Sequence, residues 1–204
     1  MLCSITECSA RLAADELIAY PTETFWALGC NPCSEVAVQK LFMFKGRAQE
    51  KGIPLIISSS SLLADWEIVE TEAVRQAREK LVISFWPGSL TMVLDPGARA
   101  RTTFAPGVVS SDGSIAVRVS PNEYAREVAQ AIGGAITSTS LNISGERPVS
   151  SVVEAERLFP EIAVLDVGHK VEDAEARESK RPSTIVDVRS LPFKVLRVGS
   201  VSVP

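Results

Sequence analysis

"SEVAVQKLFMFKGRAQEKGIPLIIS", residues 34–58, holds one element of each kind and the junction between them. Ser34 is placed to cap a helix, because its hydroxyl can accept from a backbone N–H of the first turn. Val38, Leu41 and Phe42 then share one face at helical spacing. The helix is predicted to stop at Lys45 and Gly46, since glycine readily takes the left-handed backbone that ends helices. "IPLIIS", 53–58, is a continuous apolar run of strand length and predicts a buried strand. A helix leading into a buried strand is the building unit of an α/β fold.

The alternation continues in both directions. Residues 9–18 predict a helix with Ser9 as its N-cap, and "IAYP", 18–21, a short strand ended by Pro21. Thr71 opens a helix through about Leu81, and Asn122 opens one to about Ile132. "LTMVLD" (90–95), "SIAVRVS" (114–120) and "GAITSTS" (134–140) predict strands. Ser151 and Glu154 are spaced as a capping box for a further helix. "IAVLDV", "STIVDV" and "FKVLRVG" predict the closing strands. No repeat period and no linker is visible, so a single domain over residues 1–204 is expected, an α/β sandwich around one twisted mixed sheet. Neither G-x-G-x-x-G nor G-x-x-x-x-G-K-[ST] occurs, so neither the dinucleotide fold nor the P-loop is signalled.

The chain carries 21 Lys and Arg against 25 Asp and Glu, a net charge of −4. No apolar run approaches the roughly 20 residues of a membrane span. No basic region followed by an apolar block marks a signal peptide, so the cytosol is expected. Cys3, Cys8, Cys30 and Cys33 could form a four-thiolate zinc site, or be four reduced thiols. His169, the single histidine, falls in "DVGHKVED", which reads as a surface loop, so a mechanism built on histidine is not indicated.

Against this acidic background, Lys45, Arg47 and Lys51 cluster beside Gly46 and Gly52. They read either as cations favoured by a helix C-terminus or as an anion site. Arg118 lies inside the apolar run Ile115–Val119, where a charge needs a partner, an anionic ligand or the solvent face of the strand. Ser138, Thr139, Ser140, Asn142 and Ser144, followed by Gly145, read as a phosphate-cradling loop or an ordinary turn. Polar residues also collect at strand ends in "YPTET" (20–24), "RPSTIVD" (181–187) and "LRVG" (196–199).

"AYPTETFWALGCNP", "LFMFKGRAQEKGIPLII", "FWPGSLTMVL", "SIAVRVS", "ITSTSLNISGE" and "STIVDV…LRVG" resemble, in order, the motifs of the YrdC-like (TsaC) family, the threonylcarbamoyl-AMP synthases. The resemblance covers about residues 9 to 200 and is of the short, single-domain type. It implies an α/β twisted open mixed sheet with one large cationic cavity. It also implies a reaction: L-threonine, bicarbonate and ATP, with Mg²⁺, give threonylcarbamoyl-AMP and pyrophosphate for threonylcarbamoyladenosine in tRNA. A downstream threonylcarbamoyl transferase complex is implied as partner.

Residue by residue, the resemblance implies that Lys45 and Arg47 are catalytic and, with Lys51, clamp the triphosphate. It places Ser138, Ser140, Asn142 and Arg197 at ATP, and Thr22, Arg118 and Ser183 at threonine, with Arg118 on the carboxylate. Four positions depart from the family pattern: Trp26, Ala27, Ala48 and Leu141, the last bearing on the nucleotide pocket. Two alternatives stand beside the synthase: an RNA-binding protein of the same fold, and a carbamoyl-transfer domain of a larger enzyme. The acidic balance speaks against broad nucleic-acid binding.

Overall fold

The computed structural model describes residues 1–46, 52–168 and 181–203. In chain order the strands are β1 (Leu2–Cys3), β2 (Ile18–Pro21), β3 (Trp26–Gly29), β4 (Leu55–Ile57), β5 (Leu90–Leu94), β6 (Ile115–Arg118), β7 (Ala135–Thr137), β8 (Thr139–Ser140), β9 (Ala163–Leu165), β10 (Thr184–Asp187) and β11 (Lys194–Arg197). The helices are α1 (Ile5–Ala13), α2 (Glu35–Lys45), α3 (Leu62–Asp65), α4 (Glu72–Phe85), α5 (Ala98–Thr103), α6 (Glu123–Ala131) and α7 (Val152–Leu158).

Helix α2 has the predicted construction. Ser34 Oγ accepts from Ala37 N at 3.1 Å, and Gly46 closes the helix at φ 58°. Thr71 and Asn122 cap α4 and α6 in the same way. The first helix departs from its expected frame. Ser4, not Ser9, is the cap: its hydroxyl accepts from Glu7 N, and the Glu7 carboxylate accepts from Ser4 N at 2.7 Å. That reciprocal pair fixes the start at Ile5, and Ser9 falls mid-helix, where it donates to Ala131 O at 3.2 Å. At α7 the expected capping box is half formed. Ser151 Oγ accepts from Glu154 N, but the Glu154 carboxylate accepts from Ser150 N at 2.9 Å.

Hydrogen bonding divides the strands between two mixed sheets rather than one, ordered β1-β9-β2-β3-β8 and β11-β10-β5-β6-β4-β7. The expected strand 134–140 is where they separate. β7 pairs antiparallel with β4, and β8 pairs antiparallel with β3. Between them Ser138 turns its N–H to Pro54 O at 2.7 Å. The chain therefore leaves one sheet and enters the other at a single serine. Gly29 permits the close passage there, because a Cβ on it would lie 2.7 Å from Thr137 O and 2.6 Å from the Tyr20 ring.

Strands β2, β3, β4, β5 and the edge strand β7 are buried along their length, the polar exceptions in β5 and β7 being the buried Thr91 and Thr137. Helix α6 packs on β2 of one sheet and on β4 and β7 of the other, burying Ala125, Val128 and Ala129. One continuous core, from Cys3 to Val188, results. Cys3, Cys8 and Cys30 are inside it and Cys33 is exposed. Among the described residues, no three His, Cys, Asp or Glu side chains group as a metal site. No helix among them is long and apolar enough to cross a membrane. His169 lies outside the described residues.

Candidate active site

A cavity of about 460 Å³ opens where the two sheets meet. Its walls come from strand ends. The turn after β2 brings Thr22 and Thr24, and β3 brings Trp26 and Ala27. The carboxyl end of β6 brings Arg118, and the β7–β8 crossing brings Ser138 and Ser140. The approach to β10 and the end of β11 bring Ser183 and Arg197. The only charged side chains on this wall, among the described residues, are Arg118 and Arg197.

Each of these groups is held. Thr22 Oγ1 donates to Phe25 O at 2.7 Å and accepts from the N–H groups of Thr24 and Phe25, so it builds the turn as well as facing the cavity. Arg197 grips Ser183: Nε and Nη2 donate to Ser183 O at 3.0 and 2.8 Å, and Nη2 also donates to Ser183 Oγ at 3.0 Å. Thr91 Oγ1 and Ser183 Oγ share a further hydrogen bond of 2.9 Å. Burial lowers the pKa of both arginines, Arg118 to about 10, with Arg197's charge also lowering Arg118. Arg118 is thus still a cation at neutral pH, and the two cations feel each other.

Lys45 and Asn142, both expected at the nucleotide, are not on the cavity wall. Lys45 is 4% exposed. Its ammonium donates to Ser140 O and Asn142 O, both at 2.7 Å, and to Asn142 Oδ1. Asn142 Oδ1 also accepts from Ser140 Oγ at 2.7 Å, and its amide donates to Glu146 O at 2.6 Å. The lysine at the end of α2 thereby fastens the loop that carries Ser140. Leu141, the departure expected to bear on the nucleotide pocket, is fully buried in the core with its N–H on Trp26 O. Arg47 and Lys51 lie outside the described residues.

A second cavity, of about 510 Å³, lies beside α3 and α4. Its arginines are already closed by carboxylates: Arg78 is bidentate to Glu70 at 2.7 and 2.8 Å, and Arg75 pairs with Glu72 and Glu79.

The profile of the Sua5/YciO/YrdC family, described as telomere recombination, matches residues 10–199. The chain belongs to this family. Within the Sua5/YciO/YrdC family, it is 37% identical over 181 residues to the threonylcarbamoyl-AMP synthase of Stenotrophomonas maltophilia (strain K279a), covering 89% of this chain and 91% of that one. It is 41% identical over 143 residues to the threonylcarbamoyl-AMP synthase of Idiomarina loihiensis, covering 70% and 74%. P. abyssi Sua5 complexed with L-threonine superposes with a TM-score of 0.79 at 29% identity, over 96% of this chain and 54% of that one. E. coli YciO shares the fold, with a TM-score of 0.73 at 21% identity, over 96% and 88%.

Sequence reasoning missed Glu23. Its carboxylate accepts from Arg118 Nη1, from Ser89 Oγ at 3.1 Å and from Ser120 Oγ at 2.6 Å. The signal was available: an arginine within an apolar run calls for an acid, and "PTET" supplies one at a strand end. Strand β3 and the wall residue Thr91 were missed as well. "WALG" is too short and too unpatterned to separate from a turn by periodicity.

Proposed function

We propose that the cavity is the active site of a threonylcarbamoyl-AMP synthase, a nucleotidyltransferase that joins L-threonine, bicarbonate and ATP. The observation that carries this reading is the convergence of Arg118, Arg197 and the Ser138–Ser140 hydroxyls on one cavity. It occurs in a chain that matches named synthases over nine-tenths of its length. The structural likeness to P. abyssi Sua5 complexed with L-threonine supports threonine as the amino acid.

The chemistry needs such a site. Bicarbonate gives CO₂ and water on protonation. The neutral threonine amine adds to CO₂ and loses a proton, giving a carbamate. A carbamate oxygen then attacks the α-phosphorus of ATP, and pyrophosphate leaves. The threonine carboxylate, the carbamate and the triphosphate are anions that must approach within bonding distance. Fixed cations in a partly buried cavity remove their repulsion and orient them in advance. Arg118 takes the threonine carboxylate, with Thr22 and Ser183 beside it. Arg197, Ser138 and Ser140 take the nucleotide, together with Arg47 and Lys51. Lys45 and Asn142 hold the Ser140 loop in place. Mg²⁺ enters with ATP as part of the substrate. In this reading the reaction is cytosolic, and the product passes to a threonylcarbamoyl transferase acting on tRNA.

The test is pyrophosphate release by the purified protein with MgATP and bicarbonate, with and without L-threonine. Release that requires threonine and is not supported by valine or serine is the expected result. Release independent of the amino acid would refute the proposal.

A further inference from the structure

Thr22 and Thr24 line the cavity, but Glu23 between them does not. Its carboxylate passes behind the wall and meets Arg118 there, with both side chains largely buried. Three donors converge on it, from Arg118, Ser89 and Ser120. Ser120 Oγ in turn accepts from Asn122 N at 3.1 Å, the N-cap of α6. Glu23 is therefore fixed at once to the entry of β5, the segment after β6 and the start of α6.

This environment distinguishes the two wall arginines. Arg197 rests on the carbonyl and hydroxyl of Ser183, both neutral. Arg118 meets a full carboxylate and, among the described residues, does so through Nη1 alone. A guanidinium has five N–H donors, so most of those on Arg118 are left for a ligand. An arginine side chain also has rotamer entropy to lose when it is fixed. A buried carboxylate anchored by two hydroxyls supplies that restraint and offsets the cost of burying the positive charge.

We propose that Glu23 is a positioning residue for the reaction: it holds Arg118 in place so that the donors it leaves open receive the amino-acid carboxylate. The inference rests on the assignment of Arg118 to threonine made above. Binding of L-threonine to the wild-type protein and its weakening in Arg118→Ala, measured by calorimetry, test that assignment first; failure of either overturns the assignment and this inference with it, whereas the Glu23 variants below test this inference alone.

Given wild-type binding, Glu23→Ala is expected to weaken L-threonine by about tenfold or more, the worth of one charge-assisted hydrogen bond. ATP affinity should stay within about twofold, and Glu23→Asp should recover most of the threonine affinity. In an Arg118→Ala background, Glu23→Ala should add less than about twofold, because it acts through the arginine. Unchanged threonine affinity in Glu23→Ala, equal losses for threonine and ATP, or independent losses in the double variant would each overturn the proposal. If Glu23→Ala does not fold, Ser120→Ala loosens Glu23 while keeping the ion pair. It should weaken threonine about threefold with ATP unchanged, and no change in threonine affinity would overturn the proposal.

Discussion

Lys45 and Arg47 stand two positions apart, and the surroundings of Lys45 set what its substitution should do. Lys45 is buried and tied to Ser140 and Asn142, so Lys45→Ala leaves buried oxygens unpaired and releases the Ser140 loop. It should lower stability by about 2 kcal/mol or more as well as stop adenylate formation. Arg47→Ala should stop adenylate formation, and a thermal melt beside each activity assay separates lost chemistry from lost fold. At Arg118 the expectation is a split in substrate dependence. Arg118→Ala should raise the KM for threonine by roughly ten- to a hundredfold, equivalent to about 1.5–3 kcal/mol, and the KM for ATP much less. The opposite split would move Arg118 to the nucleotide. The thiols give a pH test. Burial raises Cys8 and Cys30 to about 12, above an ordinary value of 9.0. The unfolded thiols ionise first as pH rises, so their contribution to stability is present below pH 9 and is lost between about 9 and 12. At pH 8 the native protein should show one fast thiol toward a disulfide reagent, Cys33, and all four after denaturation. At this scale the sequence showed which residues carry charge but not where they point. Lys45 was legible as a cation at a helix end, and its turn inward onto Asn142 was not, because the loop it meets is nearly a hundred residues away in sequence.

Elements built on local signals were the legible ones. Ser34 with Gly46, Thr71 and Asn122 bound their helices because a cap is decided within four residues. Ser9 failed as a cap because Ser4 with Glu7 satisfies the same helix end more completely. The run 134–140 looked like one strand because alternation cannot show that its two halves pair with different sheets. Close approach between elements was equally hidden. Gly199, just past β11, lies against the backbone before β10, where an added Cβ would come within 2.2 Å of Pro182 O and 2.5 Å of Ser183 C. Backbone cannot yield as a side-chain tip can. Gly199→Ala should therefore cost about 1–3 kcal/mol in denaturant unfolding and displace Ser183, weakening threonine binding with it. Wild-type stability and affinity in that variant would show that β11 is free to shift.

At the scale of the whole molecule, the α/β class was readable from alternation, and the family from six ordered motifs, while the division into two sheets was not. That division matters because it makes the cavity. Strand ends from both sheets meet around Ser138, so residues from the second, sixth, tenth and eleventh strands reach a common space. The charge arrangement follows the same logic. A chain of net charge −4 still presents only cations on the described wall of this cavity, which suits anionic substrates and does not require a basic face for RNA. Synthesis of threonylcarbamoyl-AMP in this cavity is the proposal that joins these observations. Its most direct test is mass spectrometry of the product formed from ¹³C-bicarbonate, L-threonine and MgATP, with no tRNA present. The expected product is an adenylate carrying threonine and the labelled carbon; unlabelled threonyl-AMP, or only hydrolysed ATP, would overturn the proposal.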